Sequence, residues 1–343
     1  MVQAPLLASY PAARRARVAW LRGPGDLVWQ DEDLAHPGDD QALCETVVSA
    51  ISPGTELAAW RGAPPLRPGD PYPRLQGYCN VARVVEAGPR CAHAAQGDLV
   101  LSLQSHRSHF LLRESDLFCR LPEGARADRA VAAYLFHLGY NAVLRSGARP
   151  GNRVAIIGLG ALGLTSVAMA HLAGARVQAI SDHTSALDLA RGYGAAIAHL
   201  REDARREPSP SLADVVILTT NSWDDIDLAQ RIARRNAVIA CLGFPGREQA
   251  PGDYNPLAAE HFYNKQLRIE AVGLSPLEND ARNSLRFNVR ENLEYLVTLI
   301  NEGTLDPAAI LSARYAARDL AQAYDDLAAR KDGAITFVLD WSI

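Results

Sequence analysis

The sequence predicts an α/β chain in which a doubly wound parallel sheet is joined to a β-rich domain. Three observations predict it. Residues 154–183, VAIIGLGALGLTSVAMAHLAGARVQAISDH, read as a strand, three glycines in G-x-G-x-x-G spacing, a helix and a second strand. From Val154 to Gly273 strand-like and helix-like patterns alternate, which implies parallel strands with helices on both faces. From Arg17 to about Pro122, short apolar runs are punctuated by turn residues, the mark of barrel-like β structure. A chain of 343 residues is long enough to bury two cores.

The elements follow in order. RVAWL, LCETVVSAI, NVARVVEAG and DLVLSL predict strands, separated by the turn signals GPGD, HPGDD, RPGDPYP and AQGD. DRAVAAYLFHLGYNAVLRSG has apolar residues recurring at three and four and predicts one helix. RVAII then reads as a buried strand, Leu162 to Ala173 as a helix, VQAIS as a strand and SALDLARGYGA as a helix. ADVVILTT, NAVIACLGF and LRIEAVGLS supply further strands. Two amphipathic helices, NVRENLEYLVTLINEGTL and ARDLAQAYDDLAAR, precede a last strand, AITFVLDW.

Composition excludes several classes. Hydrophobic residues at 48% and charged residues at 22% are ordinary for a soluble globular chain. A net charge of −4 argues against nucleic-acid or membrane-surface partners. No apolar run is long enough to span a bilayer. MVQAPLLASYPAARRAR lacks the apolar centre of a signal peptide, so the cytoplasm is the expected compartment. Cys44, Cys79, Cys91, Cys119 and Cys241 are scattered without a C-x-x-C pair, which is neither a disulfide framework nor a zinc-finger pattern.

The glycine loop carries the first chemistry. Gly158 permits the tight turn, Gly160 lets the backbone approach a pyrophosphate, and Gly163 lets helix and strand pack closely. Leu159, Ala161 and Leu162 complete the loop, and the helix that follows offers free N–H groups to phosphates. The residue that reads the adenosine ribose belongs at the end of the second strand, where Ser181, Asp182 and His183 stand. The carboxylate of Asp182 accepts ribose hydroxyls and repels a 2′-phosphate, which favours NAD, with NADP as the alternative. Ser181 at the strand tip weighs the other way. Thr219, Thr220, Leu242, Gly243, Gly273 and Leu274, after the later strands, are expected to line the other half of the cofactor site.

SAISPGTEL, LQGYCNVARVVEAGPR, GDLVLSLQSHRSHFLL, GARPGNRVAIIGLGALGL, LARGYGA and YNKQLRIEAVG together resemble the medium-chain dehydrogenase/reductase superfamily over roughly Arg17 to Trp341. The resemblance implies a GroES-like catalytic domain (residues 1–140 and 276–343) and a Rossmann domain (residues 141–275). It implies an NAD(P)-dependent oxidoreductase that interconverts a secondary alcohol and a ketone on a small sugar, cyclitol or specialised metabolite. The sorbitol-dehydrogenase-like branch is the nearest in its loop sequence. A zinc-less NADPH-dependent ene or quinone reductase is the alternative, and a catalytically silent nucleotide-binding protein is a third reading. A homodimer formed through LRIEAVGLS is also implied.

In the zinc-holding members, ligands stand where this chain has Ser52, Tyr78 and, near the linking helix, Tyr134; Thr55, Leu57 and Cys79 replace other motif positions. None of the three ligand positions holds a good zinc donor, so no metal is expected. A side-chain donor must then polarise the substrate oxygen and move its proton. Tyr78, Ser52, His137 and His109 are the candidates, with Glu56 as a further one, since the resemblance brings them near the cleft. Each also has a structural reading: a tyrosine between strands, a serine before a turn, two hydrogen-bonded histidines, a glutamate bonded to local N–H groups.

Overall fold

The computed structural model describes residues 14–64, 70–206, 212–250, 254–273 and 288–342. The chain begins with β1 (Arg14–Gly23), β2 (Asp26–Leu34) and β3 (Ala42–Ala50), then helix α1 (Pro53–Arg61). Next come β4 (Arg74–Leu75), β5 (Cys79–Ala87), β6 (Leu99–Ser102), β7 (His109–Leu112) and β8 (Phe118–Arg120). Helices α2 (Ala127–Ala130) and α3 (Ala133–Ser146) lead into β9 (Arg153–Ile157), α4 (Ala161–Leu172), β10 (Arg176–Ser181), α5 (Thr184–Gly192) and β11 (Ile197–Leu200). Then follow α6 (Arg201–Arg206), β12 (Ala213–Leu218), α7 (Trp223–Ile232), β13 (Ala233–Cys241) and β14 (Arg268–Ala271). The last elements are α8 (Val289–Asn301), β15 (Leu311–Ala316), α9 (Leu320–Ala328) and β16 (Thr336–Asp340).

Six strands form one parallel sheet in the order β11-β10-β9-β12-β13-β14. This is the doubly wound Rossmann order, and β9, β10 and β12 are buried along almost their whole length because helices cover both faces. A second, seven-stranded sheet has the order β15-β16-β3-β5-β6-β8, with β7 also paired to β3. It mixes strands from both ends of the sequence and forms the GroES-like part, together with the small sheet β2-β1-β4.

Two sequence expectations change. The single helix expected over residues 128–147 is divided: the N–H of Ala132 bonds the carbonyl of Arg129, a tighter i→i+3 turn, before α3 begins. The segment AISPGTEL, read as a loop, opens α1 instead, because Pro53 fits the first helical turn and Ser52 is extended ahead of it. The expected boundary at residue 276 lies outside the described residues.

Helix α3 fixes the junction between the sheets. One apolar cluster runs from Val48, Val81 and Leu101 through Leu135 and Phe136 of α3 to Ile156 and Leu164. Gly139 makes this possible: a Cβ there would stand 2.6 Å from the backbone carbon of Thr165, so α3 and α4 touch backbone to backbone.

Candidate active site

A cleft of about 650 Å³ opens at the carboxyl ends of β9, β10, β12 and β13. β10 and β12 flank β9 on opposite sides, so the chain leaves the sheet in both directions there and the crevice is a built-in consequence. Its other walls come from α1, from Tyr78, from Leu135 and Leu138 of α3, and from residues 327–335.

Gly158, Leu159, Gly160, Ala161 and Leu162 line the cleft. Gly158 has φ +90°, and a Cβ on it would stand 2.3 Å from Cγ2 of Thr220. Gly163 lies beneath, where a Cβ would stand 1.8 Å from the carbonyl oxygen of Gly158; it serves packing, as its spacing predicts. Gly160 caps α4 with no side chain, which leaves the first-turn N–H groups for a ligand. Thr219 steadies the loop from the next strand, its hydroxyl donating toward the carbonyls of Gly158 (2.9 Å) and Ile157 (3.1 Å). Thr220, Leu242 and Gly243 also line the cleft.

At one end stand Ser181, Asp182 and His183, the first buried at the tip of β10. Asp182 is half exposed and paired with Arg201. Arg201 also meets buried Asp225 at 3.0 Å, and Asp225 accepts the hydroxyl of Thr220 at 2.6 Å. Burial pushes the Asp225 carboxyl up, against the pull of Thr220 and Arg201. Arg330 approaches Nε2 of His183 at 2.5 Å. Sequence reasoning missed Arg201, Asp225 and Arg330. They come from two later helices and from the end of the chain, and no local pattern marks them.

The other end carries hydroxyl groups. Tyr78, Ser52 and Thr55 all line the cleft. The Tyr78 phenol donates to Ser52 Oγ and lies 3.2 Å from Thr55 Oγ1. Burial first, then the neighbouring Cys79, push the phenol above its ordinary range; the bonds to Ser52 and Thr55 pull it back, and Glu56 adds to the rise. Tyr134 packs edge-on against Tyr78, with ring centres 5.4 Å apart. His137 stacks on Tyr134 at 5.3 Å but does not line the cleft; it is buried, and neither ring nitrogen has a hydrogen-bond partner among the described residues. Burial lowers its pKa to about 4. Glu56 is buried below Ser52, bonded to the Ser52 N–H, to His106 and to Tyr324.

Two further expected site residues also stand away from the cleft. His109 is outside the cleft lining, because β7 pairs with the early part of β3, opposite Glu45, several residues before the strand reaches Ser52. Gly273 follows β14 at the edge of the parallel sheet, two strands beyond β12, and does not line the cleft either. Leu274 lies outside the described residues.

The donors at the zinc-ligand positions do not suit zinc. Ser52, Tyr78 and Tyr134 offer an alcohol and two phenols, whereas zinc takes thiolate, imidazole or carboxylate. Cys79 is buried in the core with its thiol pushed far up by burial, so it stays a thiol. Among the described residues no three His, Cys, Asp or Glu side chains gather where they could hold a metal ion.

No model of a known protein family matches the sequence. The chain is 26% identical over 182 residues to the L-galactonate-5-dehydrogenase of Escherichia coli K12, a match covering 45% of this chain and 52% of that protein. It is 28% identical over 233 residues to an alcohol dehydrogenase of Geobacillus stearothermophilus, covering 57% of this chain and 67% of that one. The first of these matches thus spans about half the length of the relative. The solved L-idonate 5-dehydrogenase of Escherichia coli shares the fold with a TM-score of 0.78 at 15% identity, over 96% of this chain and 99% of that one.

Proposed function

Because the chain belongs to the medium-chain dehydrogenase/reductase superfamily, we propose that it interconverts a secondary alcohol and a ketone on a small polyhydroxylated molecule, using a nicotinamide dinucleotide and no metal ion. The name of one relative, specifying L-galactonate, supports that substrate class. The observation that carries the reading is the bonded pair Tyr78–Ser52 on the wall of the same cleft as the glycine loop.

The residues present fit the cofactor. Gly158 to Leu162 and the start of α4 would hold its diphosphate, and Asp182 its adenosine ribose, which favours NAD. When bound, the nicotinamide supplies or accepts the hydride. The proton is the work of this chain. Tyr78 has one hydrogen and gives it to Ser52, so the contact with Thr55 is made by the Thr55 hydroxyl donating to Tyr78. The resulting chain of hydroxyls, Thr55 to Tyr78 to Ser52, leaves the Ser52 hydrogen for the substrate oxygen. Each donor polarises the next. With its pKa raised, Tyr78 stays protonated at neutral pH and acts as a donor.

Tyr78→Phe tests this. It should lower turnover on ketones by about 10²–10³, as removal of one oxyanion donor does, with cofactor affinity unchanged. NAD(P)H consumption on ketones and enones, cofactor titration by fluorescence, and metal analysis check it together. A fully active Tyr78→Phe, activity on enones alone, or zinc lost together with activity on chelation would each overturn the reading.

A further inference from the structure

Ser52 occupies the N-cap of α1, where a serine hydroxyl ordinarily accepts an N–H of the first turn. Its side chain makes no such bond and receives the Tyr78 phenol instead. Glu56, one turn along, reaches back to Ser52: its Oε1 accepts the Ser52 N–H at 2.6 Å. Its other oxygen accepts Nε2–H of His106 at 2.9 Å and the hydroxyl of Tyr324 at 2.6 Å. Behind His106, Trp341 donates its indole N–H to Ser49 Oγ at 3.0 Å, which leaves the Ser49 hydrogen for Nδ1 of His106 at 2.9 Å. Glu56 thus receives three bonds, from the Ser52 N–H, His106 and Tyr324.

Ser49, His106 and Tyr324 are fully buried and Glu56 is 1% exposed. A buried carboxylate is costly unless its oxygens are answered. Here α1, β3, the segment ahead of β7, α9 and the residues after β16 each contribute a group to the arrangement. Gly77, with φ +85°, completes it, since a Cβ there would stand 2.7 Å from the His106 ring.

We propose that Glu56 is the positioning residue of the hydroxyl pair: by holding the Ser52 N–H it keeps the Ser52 hydroxyl out of the helix cap and turned toward Tyr78 and the substrate oxygen. This rests on the role given above to Tyr78 and Ser52. Glu56 does not line the cleft and acts through Ser52 alone.

The test uses the full chain carrying Glu56→Gln, Ser52→Ala, both together, or Tyr324→Phe, the last alone and with Ser52→Ala. Glutamine opposes the His106 and Tyr324 donors with an amide N–H. The expected loss in kcat is about tenfold to hundredfold, the scale of a misplaced group, with ketone KM and cofactor Kd within about twofold. Glu56→Gln should cost nothing further in the Ser52→Ala background, because it acts only through the Ser52 hydroxyl. A crystal structure of Glu56→Gln should show Ser52 Oγ turned to the first-turn N–H groups and away from Tyr78. Losses that multiply, a loss carried by KM, or Ser52 still bonded to Tyr78 in that structure would overturn the proposal. If wild-type protein reduces no ketone, the functional reading fails and the Ser52 position in the crystal still decides this one. If Glu56→Gln does not fold, Tyr324→Phe decides: a smaller fall in kcat that is non-additive with Ser52→Ala supports the proposal, and an additive one overturns it.

Discussion

Asp182 lines the cleft with its charge already answered by Arg201, and Arg330 meets the next residue, His183. With Asp182 placed on the adenosine ribose as proposed, removing its carboxylate leaves the Arg201 and Arg330 guanidinium groups on the same cleft wall to meet a 2′-phosphate. Asp182→Ala should therefore weaken NAD and tighten NADP, each by about tenfold, the worth of one charge-assisted bond. Fluorescence titration of both cofactors checks it; an unchanged ratio of affinities removes Asp182 from the ribose site. His137 makes a different residue-scale prediction. Its folded pKa of about 4 lies below the ordinary 6.5, so the unfolded chain binds the extra proton first as pH falls. The stability is present above pH 6.5 and is lost on descending toward 4. At about 1.4 kcal/mol per unit the full loss is about 3 kcal/mol. His137→Leu should flatten urea midpoints between pH 7 and 4.5; an equally steep fall in that variant places the acid sensitivity elsewhere. Tyr78 and Ser52 were legible in the sequence because a motif position marks them. The partners of Glu56 and the arginines around Asp182 were not, since only tertiary folding brings residues 201, 324 and 330 to residues 56 and 182.

Among the elements, α3 and α4 meet in a close backbone contact beside the site. Gly139→Ala would place a methyl group 2.6 Å from the Thr165 backbone carbon and 2.7 Å from the Ser166 backbone nitrogen, and helical backbone cannot yield as a side chain can. The expected cost is about 1–3 kcal/mol of overpacking, seen as a lower melting temperature with weakened cofactor binding, because α4 carries the glycine loop. An unshifted melting curve would show that the helices can part. α8 and α9 could be read from periodicity because each buries one face and exposes the other. α4 could not, being apolar on every side; the glycines before it made it legible. β11, four residues at the sheet edge with both ends exposed, carries too little apolar pattern to declare itself.

For the whole molecule, the open question of assembly falls on β14. Among the described residues it pairs with β13 alone, and Ile269 on it is 36% exposed. An unpaired strand edge invites a second copy. Light scattering at micromolar concentration should give twice the chain mass, and Ile269→Lys should reduce it; a wild-type monomer contradicts the pairing. The two-sheet plan was legible because strand spacing differs between the parts. What the spacing could not show is that the seven-stranded sheet draws on both ends of the sequence.

That arrangement has a consequence for synthesis. β16 sits inside the sheet, between β15 and β3, and carries Trp341 to Ser49 just beyond it. Until α9 and β16 have been translated, residues 48–50 of β3 keep a bare hydrogen-bonding edge and Glu56 lacks the Tyr324 hydroxyl. The amino-terminal strands must wait, exposed, while the parallel sheet between them is translated and folds. The newborn chain thus completes the bonds around Glu56 late, and a nascent protein stalled short of β16 would be prone to stick to its neighbours.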